Sequence, residues 1–233
     1  MTHRKFAFAV AASAALAAAA FGAAPLRTTA ALDNPRFLDV GRLPELGTAA
    51  GKGLAQFKAL AADGDTYKDL GLSDAASAGK AVLGTPKRDF IIRLDALKAF
   101  KAGGEVDAML IDTKIVHYPL LVSGKAVSSL SLHDEKGAWS IISAGDAQRT
   151  ALRKRAIDNS IKRFAKSEEE HFIVRVPALN LEFTAFRGAN DELQLASVSD
   201  NPMAGLTAGE AEPASKVIAR ILPMALTDDG LPH

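Results

Sequence analysis

The chain has 233 residues, with 28 Lys and Arg against 27 Asp and Glu, a net charge of +1, and no cysteine. A charge balance this close to neutral argues against bulk binding to nucleic acid. The absence of thiols excludes disulfides, zinc–cysteine sites, iron–sulfur clusters and cysteine nucleophiles.

Residues 1–24 read as a secretory signal peptide. Arg4 and Lys5 precede an uncharged, alanine-dominated run from Phe6 to Phe21, and small residues follow at Gly22, Ala23 and Ala24. The alternative is an uncleaved membrane anchor, since the run is nearly long enough to span a bilayer. Alanine is only weakly apolar and the small residues cluster, which favours cleavage and an exported protein, periplasmic or secreted. No later stretch is long and apolar enough to span a membrane.

Residues 25–44, rich in Thr, Ala, Pro and Arg, form an extended lead-in without a clear period. Leu54, Phe57, Leu60 and Ala61 then recur at helical spacing, and Asp63-Gly64-Asp65 ends that helix. Ser73-Asp74 caps a second helix expected over Ala75–Leu83, stopped by Gly84 and Pro86. Asp89–Leu94 reads as a short strand, and Leu94, Leu97 and Phe100 as one face of a brief helix.

The middle of the chain is β-rich. Val106–Ile111, Ile115–Val122, Ala126–His133 and Trp139–Ser143 are predicted strands, separated by Asp112-Thr113-Lys114, Ser123-Gly124-Lys125 and Asp134–Gly137. Connections this short require antiparallel neighbours, because a parallel crossover needs about a dozen residues. A long helix follows from Ala147 to about Lys166, with Leu152, Ile157, Ile161 and Phe164 near one face. Strands are then expected at His171–Val176, Leu179–Phe186 and Glu192–Val198. A helix from about Ala208 to Leu226, interrupted near Pro213, closes the chain.

This order predicts an α+β fold, with antiparallel meander sheets and helices packed on one side. Residues 45–145 and 146–233 form two helix-plus-meander units, or one continuous domain over 45–233. The strands do not alternate with helices in the manner of a doubly wound nucleotide-binding fold.

Candidate sites are few. In the stretch SSLSLHDE, strand alternation puts Ser129, Ser131 and His133 on one face. A nucleophile and its base need hydrogen-bond reach and a third orienting group, which neighbours on one strand meet poorly. A solvated strand face entering a turn explains the pattern. His117 and Tyr118 stand beside Pro119, where an irregular edge strand can frame a cleft. His117, Tyr118, Ser131 and His133 are therefore candidate binding residues, and no catalytic group is assigned.

The basic residues Arg149, Arg153, Arg155 and Lys162 on the long helix are a candidate partner surface. Glu168, Glu169 and Glu170 are consecutive, so their side chains diverge and do not form a metal site. No cofactor is expected, and phosphate-loop, dinucleotide, zincin and EF-hand motifs do not occur.

The pattern Asp112-Thr113, Tyr118-Pro119, Gly124, Ser128-Ser129, Gly137 and Trp139, preceded by Leu83-Gly84-Thr85-Pro86, resembles exported bacterial proteins of unassigned function. The helix-then-meander order is similar to that of cystatin-like and PepSY-like domains. That resemblance implies an inhibitor, propeptide-like or binding module, and carries over no individual functional residue. The expectation is an exported, non-enzymatic domain that binds a protein, peptide or envelope component. The alternatives are an envelope hydrolase assembled from dispersed residues and a carrier of a small apolar ligand.

Overall fold

The computed structural model describes residues 43–228. The signal peptide, nearly all of the lead-in and the last five residues lie outside the described residues.

Helices α1 (Leu43–Ala61), α2 (Thr66–Asp69) and α3 (Ala75–Gly79) come first, followed by strands β1 (Val82–Leu83) and β2 (Lys87–Ile91). Asp74 caps α3, its carboxylate accepting from the Ser77 amide. Helix α4 (Leu94–Ala99) leads to a meander of β3 (Ile111–Val122), β4 (Lys125–Glu135) and β5 (Ala138–Gly145). Helix α5 (Ala147–Phe164) then crosses to β6 (Phe172–Val176), β7 (Leu181–Arg187), β8 (Leu193–Ser197) and β9 (Ala211–Pro213), and α6 (Ala214–Thr227) follows.

All nine described strands belong to one sheet, ordered β5-β4-β3-β2-β6-β7-β8-β9, with β1 beside β3. Each meander runs outwards from its first strand, and those first strands, β2 and β6, pair in parallel through Asp89–Ile173 and Phe90–Val174. All the other named pairs are antiparallel. The fold class is α+β, and the segments before and after Gly145-Asp146 share one continuous sheet, joined at β2–β6. Parallel pairing is possible only here because α5 supplies the long connection that it requires.

Register assigns the faces. Phe90, Val174, Val176, Phe183 and Leu195 pack beneath α4 and α6. Val116, Tyr118, Leu120, Leu130 and Leu132 continue that apolar face beneath α1 and α3. The other face carries Lys87, Asp89, His117, Ser131, Arg175 and Glu182, and among the described residues α5 and the segment after it lie over it. Five helices thus share one side, and α5 takes the second.

Four local expectations change. The helix expected from about Ala208 begins only at Ala214, because Ala211–Pro213 pair with Gln194–Ala196 as β9. Val106–Met109 is a 3-10 turn, not a strand, and buries Val106 and Met109 at a three-residue step. Asp112-Thr113-Lys114 is a bulge within β3, with Lys114 in the left-handed region at φ 61°, not a turn between strands. The helix expected over Ala75–Leu83 stops at Gly79, because Val82 and Leu83 pair with Leu121 and Leu120. The β4–β5 hairpin is tight, as expected: Lys136 and Gly137 both have positive φ, the primed geometry that matches strand twist.

Candidate functional site

Two places in the fold bring chemistry together. The first is the polar layer under α5. Lys87 pairs with His117 across β2–β3, and His117 with Ser131 across β3–β4. Alternation points all three side chains, together with Asp89, at α5. Ser131 Oγ lies 2.8 Å from His117 Nδ1, and His117 Nε2 lies 4.0 Å from Asp89 Oδ1. Asp89 is fully buried; Arg175 donates to both its oxygens, with Nε–Oδ1 at 2.8 Å, and the Thr113 hydroxyl donates at 2.9 Å.

A serine, a histidine and an aspartate therefore stand in line. Their surroundings are closed. Ser131 and Asp89 are buried, and the adjoining cavity, lined by Lys87, His117, Thr150, Arg153 and Ile157, measures about 30 Å³. That is room for a particle the size of a water molecule, not a substrate. His117 is held neutral: burial depresses its pKa well below the usual histidine value, and Arg153, Arg175 and Arg149 add to the effect.

Helix α5 closes this layer with polar side chains. Its buried residues are Thr150, Arg153, Ala156, Ile157 and Ser160, so of the expected stripe only Ile157 is fully inside. Arg153 makes a bidentate pair with Glu182 of β7, with Nη2–Oε2 at 3.0 Å. Lys87 donates to the Glu168 carbonyl just beyond α5, and burial lowers its pKa to about 8. The His171 ring hydrogen-bonds through Nδ1 to the Ser167 carbonyl at 2.9 Å. Burial, with the charge of Lys87 acting in the same direction, lowers the His171 pKa to about 4.

The predicted site residues thus separate. His117 and Ser131 are joined, but by pairing between strands and not along one. Tyr118 points into the opposite, apolar face, where burial pushes its pKa up to about 12. His133 shares the face of Ser131 and is half-buried opposite Ile115 and Ser140. The basic helix does not present one surface. Arg153 is turned inwards and Arg149 lies near Asp146 and Glu182, while Arg155 and Lys162 are exposed.

The second place is an open groove of about 920 Å³ between α1 and β5. Thr48, Ala49, Lys52, Gln56 and Ala59 form its helical wall, and Trp139 and Ile141 line its strand side. Exposed Leu60 and Asp63 stand at the end of α1. Among the described residues β5 pairs only with β4, so its outer edge carries no described strand. The tight turn sets the register: Ala138 and Ser140 bond towards β4, and the main-chain groups of Ile141 point outwards. Ile142 is the extra residue of a bulge and is 46% exposed.

Sequence reasoning missed Asp89, Arg175, Glu182, Lys87 and the groove. The charged residue set between apolar ones in IVRV and in LEFT was a signal of a polar second face. That β2 and β6 lie side by side was not in the sequence.

Among the described residues no cluster of three His, Asp or Glu side chains could hold a metal ion, and no helix is long and apolar enough to cross a membrane. Compared with protein-family models, curated proteins and solved structures, the chain matches none.

Proposed function

We propose that this protein is an exported, non-enzymatic module that binds an extended protein or peptide segment between α1 and β5. The observation that carries this reading is the open groove beside a sheet edge. A sheet edge offers main-chain donors and acceptors to an incoming strand, and the adjoining groove receives its alternate side chains. The groove mixes apolar Leu60, Trp139 and Ile141 with scattered polar groups, the composition of a surface that recognises a segment. The N-terminal signal pattern supports export, and an envelope or secreted partner follows from it.

A hydrolytic reading has the Ser131–His117–Asp89 alignment in its favour. It ranks second because the alignment sits under α5 beside a cavity of about 30 Å³. A carrier would need an enclosed apolar cavity on the order of 300 Å³ or more.

Trp139 is the only tryptophan of the chain and lines the groove, so its emission reports occupancy directly. Peptides selected against the purified protein should shift Trp139 emission. Gln56→Glu/Ala59→Glu, both exposed positions on α1, should weaken them at least about tenfold without a change in Tm beyond that of ordinary surface substitutions. Selected peptides that ignore the double variant would overturn the groove assignment. Failure to select any peptide, together with turnover of an ester or peptide substrate, would overturn the binding reading.

A further inference from the structure

We propose that α5 is an acid-released latch, which leaves the sheet as a unit in mildly acidic solution while the apolar face stays folded. The proposal is independent of the groove and rests on how α5 is held. A helix docked by a wide apolar stripe is insensitive to pH. Here the inward stripe is Thr150, Arg153, Ala156, Ile157 and Ser160; Arg153–Glu182 ties the helix itself to the sheet, and the segment that follows it is held by Lys87 to the Glu168 carbonyl and by the local bond of His171 to the Ser167 carbonyl. Two imidazoles lie in this interface, and the Nε2 atom of each is buried with no hydrogen-bond partner among the described residues.

The surroundings of both rings oppose protonation. Around His117, β2 contributes Lys87 and Asp89, β4 Ser131, β6 Arg175, and α5 Arg149 and Arg153, the last of which is paired to Glu182 of β7. Asp89 is already engaged by Arg175 and Thr113. Around His171, β2 contributes Lys87, the segment after α5 contributes Ser167, Glu168 and Glu170, and β7 contributes the ring of Phe186 at 5.0 Å between centroids. Phe164 of α5 lies against Phe186 at 5.1 Å. Glu170 is itself engaged by Lys166 and the Ser167 amide.

The direction follows from linkage. In the docked state His171 stays neutral down to about pH 4, whereas an imidazole released to water protonates near its ordinary value of 6.5. The released state binds more protons throughout that interval, so acid favours release. For His171 alone the opening equilibrium rises about 20-fold between about pH 7 and about pH 5, and His117 shifts it in the same direction.

Hydrogen exchange of the full chain, corrected for intrinsic rates, tests this. Between about pH 7 and about pH 5 the amides of 147–164 should lose at least about 20-fold of their protection, while those of β7 and β8 keep theirs. In His117→Asn/His171→Asn, whose amides replace the Nδ1 groups and cannot charge, the loss should vanish. Parallel loss over α5 and the strands would overturn the proposal, as would an undiminished loss in the double variant. If that variant does not fold, imidazole titration of the native chain by NMR decides instead. Both buried rings should stay neutral until α5 protection falls, and a ring titrating near 6.5 with α5 still protected would overturn the proposal.

Discussion

On the face that carries α1, α4 and α6, the strands turn Phe90, Val116, Leu130, Val174 and Phe183 inwards, and the helices answer with Phe57, Leu97, Val217 and Ile221. On the α5 face the same strands turn out Lys87, Asp89, His117, Ser131, Arg175 and Glu182. The first face is held by area removed from water, which is non-directional and indifferent to pH. The second is held by partners, each of which must be present and correctly charged. One sheet therefore has one face that supplies stability and one whose stability is conditional.

The sharpest contrast comes from truncating one residue on each side. Phe183, with 0% exposure at the centre of the larger apolar cluster, should cost about 3–5 kcal/mol as Phe183→Ala. Arg153→Met should cost about 3 kcal/mol because it leaves Glu182 buried without its main partner. Removing both charges together, as Arg153→Met/Glu182→Leu, should recover most of that loss, which no second truncation on the apolar face can do. Urea denaturation of these three variants and of Glu182→Leu alone checks this. A double variant as unstable as the sum of its parts would erase the distinction between the faces.

The apolar face was largely legible in the sequence. Tyr118 alternates in phase with Val116 and Leu120, and all three are buried together. The polar face was legible only in pieces. His117 and Ser131 stood out as candidates, but they lie on different strands, and their 2.8 Å contact depends on a register that only the folded hairpin defines. Helix α5 misled for a physical reason. Leu152, Ile161 and Phe164 suggest an apolar stripe, yet the sheet beneath offers Glu182, so the helix turns Arg153 inwards to meet it. The parallel β2–β6 pair was hidden because it joins strands more than eighty residues apart, with nothing local to mark it.

A middle-sized effect comes from Lys87. It is 4% exposed, and burial lowers its pKa from 10.5 to about 8. Below about pH 8 the folded protein holds a buried ammonium, and between about 8 and 10.5 the unfolded chain binds the extra proton. Stability should therefore rise with pH across that window, by up to about 3 kcal/mol from this group. Lys87→Met should be more stable than the native chain near neutral pH and should flatten that rise. Thermal unfolding across the alkaline range measures both. A destabilised Lys87→Met would mean that its bond to the Glu168 carbonyl outweighs the cost of burying the charge.

The smallest effect separates the polar layer from catalysis. Ser131→Ala removes the only hydrogen bond of the His117 ring to a described residue, at Nδ1, and leaves Nε2 as it was, 4.0 Å from Asp89. One lost bond to a buried neutral group costs about 1 kcal/mol, which in a domain of this size lowers Tm by about 2–4 °C. A structural serine should show that fall and nothing more, with Trp139 emission and peptide binding at the groove unchanged. A catalytic serine would behave in the opposite way, since truncating a nucleophile abolishes turnover while the fold loses little. The same substitution read by calorimetry and by an ester assay therefore decides which face of the sheet matters to function: the outer edge beside α1, or the closed layer beneath α5.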